Sequence, residues 1–294
     1  MKKNSLKEKT WVEHLILIII CIMCVIPFIM VISISFSNET DIAKYGYSVI
    51  PRKIDLSAYS YVFSNKSQII NSYIVTALSS VVGTALSTVI MSMMAYPLSR
   101  HNYRLKGAVS FYIFFTMLFS GGLVPSYILI TQYLHLRNNF WVLILPGLIV
   151  PFHVFLLRTF FAQMPLSVIE SAKIDGCNVW RTLFTIVYPS ATPALATVAL
   201  MGMLTRWNDW YTCLLYIDDD RLITLQYLLQ RVMMNVELMK SNMVNIPEGL
   251  SRNSLPTETM RMAMAVVTTG PIVLVFPFFQ KYFVSGLTVG AVKG

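Results

Sequence analysis

A cluster of aromatic and polar side chains stands out within an otherwise apolar part of the chain. It comprises Trp207, Asn208, Asp209, Trp210 and Tyr211. Aromatic faces stack on the C–H faces of sugar rings, and neighbouring polar groups can bind hydroxyl groups, so these residues form a candidate substrate path. Trp and Tyr also form belts at membrane interfaces, and this alternative stays open from the sequence.

The residue types that carry catalysis or bind metals form no recognisable set. The 4 histidines are scattered singly, without the HExxH spacing, a Ser–His arrangement or paired carboxylates of an enzyme site. The 4 cysteines form no paired framework, and Cys21 and Cys24 lack a second pair to complete a metal site. Without a GxxxxGK[ST] phosphate loop, we expect a chain that is not an enzyme and binds no cofactor, metal or ATP itself.

The composition predicts a membrane protein. Of the 294 residues, 55% are hydrophobic and only 13% are charged, and the mean hydropathy is +0.62, whereas about 25% of residues are charged in a typical soluble domain. The net charge of +9 comes from Lys and Arg residues at the ends of apolar runs rather than from one basic stripe. A basic membrane protein explains this pattern better than a nucleic-acid-binding protein does.

Six apolar stretches are long enough to cross a bilayer as helices, which needs roughly 20 residues each. They lie at about 12–36, 69–95, 108–130, 140–161, 190–215 and 262–280. The sequence therefore predicts an all-α integral membrane protein with a transmembrane domain over residues 12–280. Residues 1–11 and 281–294 are its tails.

The positions of the basic residues predict the topology. Lys and Arg are concentrated in the first tail, after the second span and after the fourth span, so these parts and both termini are expected in the cytoplasm of a multi-pass protein of the cell membrane. The segment at about 216–261 then lies outside the cell. Within the spans His153 and Asp209 are the main ionisable residues, with Arg158 and Arg206 nearer the ends, and this scarcity argues against coupling to ions.

The predicted cytoplasmic loop at about 165–193 has the local pattern of a helix, a turn and a second helix. Pro165 can open the first helix, and the residues from Ser167 to Glu170 are close to a capping pattern. Apolar positions that recur every three or four residues give this helix one face able to press on a partner, and they include Leu166, Ile169 and Ala172. Asp175 and Gly176 stop it. We expect the second helix to run from about Asn178 to Tyr188 and to end before Pro189.

The order of residues in this loop resembles the EAA loop of binding-protein-dependent ABC importers. The matching positions are Glu170, Ala172, Asp175, Gly176, Phe184, Ile186, Pro189 and Pro193. The resemblance implies coupling helices that insert into a cleft of an ATP-hydrolysing subunit. Glu170 would pair with a basic residue there, Ala172 would permit close approach, and Gly176 would form the turn. Ser171 stands where the family more often has alanine.

Further stretches resemble carbohydrate-importing permeases of the maltose type. These stretches are AYPLSRHNYRLKG, FSGGLVPSYILI and FWVLILPGLIVPFHVFLLRTFF, and the second is especially similar to a Gram-positive oligosaccharide subgroup. The resemblance implies a six-helix type I ABC importer permease fold, called MetI-like, and import of a carbohydrate, most simply an oligosaccharide. It also implies that Gly290, Lys293 and Gly294 in the C-terminal tail contact the ATPases, the alternative being a solvated tail.

The same resemblance implies a set of partners. The protein partners are a second homologous permease, a dimer of ATP-binding subunits that hold ATP and Mg, and an extracellular lipid-anchored solute-binding protein. Residues 216–261 would receive the solute-binding protein. The chain would also contact the carbohydrate and membrane lipid, and we expect no nucleic acid partner. Two alternatives remain open, an ion-coupled secondary transporter and an ABC importer of a non-sugar solute. The loop could also be a plain amphipathic hairpin.

Overall fold

The computed structural model describes residues 2–243 and 257–291, and these residues are almost entirely helical. The pairing of Ser37 with Ile54 is the one β-bridge within those ranges. The helices are α1 Lys2–Ser35, α2 Glu39–Tyr45, α3 Ser57–Val62, α4 Lys66–Ser99, α5 Lys106–Leu118, α6 Leu123–Ile128, α7 Pro151–Ala162, α8 Leu166–Ile174, α9 Val179–Arg181, α10 Tyr188–Ser190, α11 Thr192–Trp207, α12 Tyr211–Tyr216, α13 Leu225–Met243 and α14 Thr257–Ala291.

Shorter helical turns connect or extend several of these elements. The 3₁₀ turns are Phe63–Asn65, Phe140–Leu143, Leu145–Gly147 and Asp220–Leu222, and the π-helical turns are Leu129–Tyr133 and Thr182–Val187. The chain divides into two compact units, the first built from residues 1–69 and 229–271 and the second from residues 70–228 and 272–294.

The predicted spans appear partly as straight helices and partly as bent pairs. Three helical stretches are long and apolar enough to cross a membrane, Trp11–Ser35, Ser57–Ser99 and Glu258–Val275. Three helix pairs pass the same test together, Lys106–Leu118 with Leu123–Tyr133, Phe140–Gly147 with Pro151–Ala162, and Val179–Ser190 with Thr192–Trp207, bent by 111°, 53° and 85°. Counting each pair as one span gives up to six within the described residues, in agreement with the predicted number.

Two predicted boundaries differ from the structure. The span expected at 190–215 is a bent pair that begins at Val179 and ends at Trp207, because the polar residues after Trp207 break the helix before α12. The tail expected from residue 281 continues α14 to Ala291, since no proline interrupts this stretch. Gly290 therefore lies in α14, while Lys293 and Gly294 lie outside the described residues.

The second unit has a core made by helices that are distant in the chain. Its largest cluster contains Met91, Ala95, Tyr96 and Leu98 of α4, Ile113 of α5, Val154, Leu157 and Phe161 of α7, and Leu183, Val187, Ala191, Ala194 and Val198 near the start of α11. A second cluster joins α4 to α12 through Val75, Ile130, Val142, Leu143, Cys213, Tyr216, Ile217 and Ile223. These contacts hold the bent pairs against α4.

Within the first unit, the carboxylate of Glu39 in α2 binds the N-terminal end of α14. The Glu39 side chain accepts hydrogen bonds from the Glu258 and Thr259 N–H groups, both at 2.9 Å, and from the Thr259 hydroxyl at 2.8 Å. The first N–H groups of a helix have no partner inside the helix, and a negative charge there is favourable. Glu39 therefore caps α14 from a helix that lies more than two hundred residues earlier in the chain.

Replacing Glu39 by Gln should loosen this contact. The variant loses the charge and one acceptor oxygen, which is worth about 1–3 kcal/mol for a hydrogen-bonded charged group. Amide hydrogen exchange at Glu258 and Thr259 should become about tenfold faster or more. Asp41→Asn is the control, because Asp41 lies on α2 and has no hydrogen bond to α14 among the described residues. Equal exchange rates in the wild type and Glu39→Gln would contradict the capping role.

Candidate functional site

The first helix of the loop, α8, ends in a Schellman motif. The Cys177 N–H donates to the Ala172 carbonyl at 2.9 Å, and the Gly176 N–H donates to the Lys173 carbonyl at 3.1 Å. Gly176 has a φ of 75°, which a residue with a Cβ adopts only at a cost. The predicted stop at Asp175 and Gly176 is therefore correct, and its reason is the left-handed conformation at Gly176.

The start of α8 differs from its prediction. Pro165 is the residue before the first helical turn, and no side chain caps the helix. The Ser171 hydroxyl donates to the Ser167 carbonyl at 2.9 Å within the same helix. The predicted capping pattern from Ser167 to Glu170 is therefore wrong, because Ser167 already lies inside α8.

The apolar face of α8 points into its own chain. Ile169 and Ala172 are 4% and 3% exposed, so they pack inside the second unit. Ala172 was expected to permit close approach to another subunit, but the approach that it permits in this structure is to its own chain. Leu166, which was expected on the same face as Ile169 and Ala172, is exposed instead. The other exposed residues of α8 are Ser167, Val168, Glu170, Ser171, Lys173 and Ile174, and Asp175 and Gly176 just after it are exposed as well.

The second helix of the loop is longer than predicted. The Asn178 side chain caps it by accepting from the Arg181 N–H at 2.8 Å. A π-helical turn from Thr182 to Val187 follows, and the helix continues through Pro189 to Ser190. Pro189 was expected to stop the helix, but the wider turn before it accommodates the missing N–H group. We call residues 165–190 the hairpin.

A groove of about 740 Å³ begins at the hairpin and follows α4 and α11. Phe184, Tyr188 and Pro189 line its hairpin end, and the hydroxyl groups of Tyr188 and Ser92 are hydrogen-bonded beside it. The rest of the lining is small or apolar and comprises Val81, Thr84, Ala85, Thr88 and Val89 of α4 and Thr192, Leu195, Ala196, Ala199 and Met203 of α11. Hairpin residues therefore form one wall of the groove.

Arg206 lies one helical turn beyond Met203 in α11. Its Nη2 group donates to the Gly147 carbonyl at 2.7 Å, and its Nη1 group donates to the Gly202 carbonyl at 3.3 Å. The Gly147 carbonyl would bond the N–H of residue 151 in a continuous helix, but residue 151 is a proline. Arg206 therefore supplies the donor that Pro151 lacks.

Two glycines leave room for this arginine. A Cβ atom at Gly83, near the middle of α4, would lie 2.6 Å from Nε of Arg206, and one at Gly202 would lie 3.2 Å from Nη1. The small residues Gly83 and Gly202 thus accommodate a charged side chain between two helices. Sequence patterns do not predict these contacts of Arg206, because its neighbours come from separate parts of the chain.

The aromatic cluster that was a candidate substrate path does not form one surface. Trp207 is 6% exposed, and the Asn208 amide donates to the Leu204 carbonyl at 2.9 Å. The Asp209 carboxylate accepts from the Thr212 N–H at 3.0 Å. Trp210 and Tyr211 pack edge to face with ring centroids 5.8 Å apart. Trp207 and Asp209 thus contribute to folding around the break between α11 and α12.

Near Glu170, a smaller cavity of about 320 Å³ separates α8 from the turn after α4. Arg100, His101, Glu170 and Lys173 are its charged or ionisable lining residues. The Arg100 side chain stacks on Tyr96 and donates to the Phe161 carbonyl at 3.2 Å. In the part of the chain that the structure describes, no group of three or more His, Cys, Asp or Glu residues could hold a metal ion.

Candidate spans, a structured hairpin and a groove that starts at this hairpin define a membrane component of a transport system. The chain belongs to the family described as binding-protein-dependent transport system inner membrane component, whose model matches residues 74–289. The family resemblance read from the loop is therefore confirmed, and the chain is a membrane-embedded, non-catalytic component. Transport in this family depends on a binding protein and on further subunits in general.

Similar proteins cover nearly the whole chain. A polygalacturonan/rhamnogalacturonan transport system permease protein, YtcP of Bacillus subtilis (strain 168), is 39% identical over 95% of this chain and 96% of its own length. Protein LplC of the same organism is 36% identical over 92% and 90%. A bacterial ABC transporter involved in the import of the acidic polysaccharide alginate has a crystal structure that matches with a TM-score of 0.80, 28% identity and coverage of 94% and 97%.

Gly83→Ala should destabilise the protein through Arg206. The new Cβ would collide with Nε, so the guanidinium must move from the Gly147 carbonyl, at a cost of about 1–3 kcal/mol for an overpacked site. Thermal unfolding of the purified protein in detergent should show a lower Tm. Gly107→Ala is the matched control, because a Cβ there would have no neighbour within 4 Å. If both variants unfold at the wild-type temperature, Arg206 does not depend on the glycine.

Proposed function

We propose that this chain is the permease subunit of an ABC importer that moves an oligosaccharide into the cytoplasm. The proposal follows from the similar proteins, which include oligosaccharide transport proteins such as AraQ of Halalkalibacterium halodurans, 28% identical over 100% of both chains. ATP and Mg are bound by a separate pair of ATPase subunits, and this chain transmits their movement.

One observation carries the proposal, namely that the hairpin and the groove share residues. Phe184, Tyr188 and Pro189 belong to the hairpin and line the groove. The helix from Val179 to Ser190 is then joined to α11 with a bend of 85°. A force on the exposed side of the hairpin would therefore move a wall of the groove, which is the requirement for coupling ATP hydrolysis to transport.

The exposed face of α8 is the proposed docking surface for the ATPase. Glu170, Ser171 and Asp175 present polar groups on it, and Gly176 sets the turn. The exposed side chain of Glu170 is suited to pair with a basic residue of the ATPase. Ala172 acts from the inner side, where its small size lets α8 lie close to its own chain.

Further partners complete the proposed importer. The groove is open along one side and needs a second, homologous permease to form a closed path. Residues 216–261 would receive an extracellular lipid-anchored binding protein, although residues 244–256 of this segment lie outside the described residues. Both termini would be cytoplasmic, with Gly290, Lys293 and Gly294 near the ATPases. The sugar would pass along the groove and reach Asn208, Trp210 and Tyr211 only at its far end.

Reconstitution tests this function. The importer, purified through a tag on this chain with its second permease and ATPases, is placed in liposomes together with the binding protein. Uptake of a labelled oligosaccharide should require ATP and every subunit. Uptake by this chain alone, driven by an ion gradient, would identify a secondary transporter instead, and ATP-driven uptake of only a non-sugar solute would contradict the carbohydrate assignment.

Glu170→Lys should uncouple the importer. The reversed charge repels the basic residue proposed on the ATPase, so ATP-driven uptake should fall about tenfold or more, as expected for loss of a charged hydrogen bond. The measurement is uptake together with co-purification of the ATPase. Arg104→Glu is the control, because it reverses an exposed charge outside the hairpin. Normal uptake by Glu170→Lys would exclude Glu170 from coupling.

A further inference from the structure

Arg206 forms no salt bridge with a carboxylate of the described residues, although the negative charge of Asp209, three residues later in the chain, acts on it. No carboxylate among the described residues lies within 4.0 Å of its guanidinium, and its hydrogen-bond partners among those residues are two backbone carbonyls. The Asp209 carboxylate is the nearest in sequence, and it is engaged with the Thr212 N–H. An ionisable side chain within a membrane span is costly and often marks a functional site, and Arg206 is the second-last residue of its span.

Repair of the backbone break does not explain the charge. The Leu148 carbonyl, next to the Gly147 carbonyl at the same break, accepts a hydrogen bond from the Ser87 hydroxyl at 2.6 Å. A neutral hydroxyl is thus sufficient for such a carbonyl. Arg206 provides five N–H donors where the break needs one, so the remaining donors and the positive charge call for another role.

Other polar atoms around Arg206 also lack partners. Nε of Arg206, Nδ1 of His153 and Oγ1 of Thr84 are buried and have no hydrogen bond. Thr84 lies 3.9 Å from the Cβ position of Gly202, and His153 lies in the first turn of α7, next to the break that Arg206 bonds. Buried polar groups in folded proteins almost always have partners. These atoms are polar groups near Arg206 whose hydrogen-bonding capacity the described residues do not use.

Thr84 connects these polar groups to the groove, whereas Arg206 and His153 are not among the residues that line it. Thr84 lines the groove on α4, and Met203 lines it on α11, one helical turn before Arg206. The hairpin forms the opposite end of the groove. The guanidinium is therefore closer to the Met203 end of the groove than to the hairpin end. A solute that enters at the Met203 end would approach Arg206 before it approaches the hairpin.

We propose that Arg206 binds a carboxylate of the transported solute, so that the importer carries acidic oligosaccharides. The proposal rests on the proposed function as an importer permease. A guanidinium matches a carboxylate with two parallel hydrogen bonds, and it stays charged when partly buried. The bond to the Gly147 carbonyl orients Nη2, and Thr84 can bind a sugar hydroxyl beside it. A carboxylate of the second permease is the competing source of the same chemistry.

Charge-selective labelling tests the site in the assembled importer. Met203→Cys is introduced into a background without the four native cysteines and is labelled with an anionic or a cationic methanethiosulfonate. The anionic reagent should react about tenfold faster, and Arg206→Gln should remove this preference whereas Arg206→Lys should keep most of it. Trigalacturonate should protect the cysteine, and its neutral trimethyl ester should not.

Each result decides between the sources of the carboxylate. Anion preference with protection by the acid alone supports the proposal. Absence of anion preference in the assembled importer indicates a partner carboxylate and overturns it, as does equal protection by acid and ester. Protection of the cysteine at position 203 by trigalacturonate is measured with wild-type Arg206. This part of the test therefore remains valid even if the Arg206→Gln variant fails to assemble. ATP-driven uptake is measured separately, so that failure of the proposed function, with no sugar uptake, is distinguishable from failure of the Arg206 site.

Discussion

The architecture depends on satisfying backbone polar groups where water is excluded. A spanning helix can bend there only if the freed carbonyls find other donors. At the break before α7, Ser87 of α4 serves the Leu148 carbonyl and Arg206 of α11 serves the Gly147 carbonyl. Two neighbouring spans thus support the bend in a third, and the requirement explains why these helices pack where they do.

Bent spans give the molecule parts that can move relative to one another. The hairpin is attached to α11 through a bend of 85°, and a π-helical turn lies just before that bend. Such turns have weaker internal hydrogen bonding than a regular α-helix and often lie at functional positions. The Schellman motif at Gly176 fixes the other side of the hairpin. The hairpin therefore joins a well-defined turn at Gly176 to an irregular helix at its other end.

Arg206 is involved both in the hydrogen bonding of a bent span and in the surroundings of the groove. The guanidinium stabilises a backbone break, and the same group brings a positive charge close to Thr84, which lines the groove. A neutral residue would suffice for the first role, as Ser87 illustrates one carbonyl away. A side chain that serves the fold and also faces the solute would make solute binding sensitive to the shape of the bent span.

The sequence by itself determined the membrane class, the number of candidate spans, the family and the stop of α8 at Gly176. These features are written in local composition, in residue order and in the conformational freedom of one glycine. Only the tertiary structure decided that Ala172 faces inward, that three spans are bent, and that Gly83, Gly147 and Gly202 surround Arg206. Such contacts join residues far apart in the chain, and no local pattern specifies which distant backbone a side chain will meet.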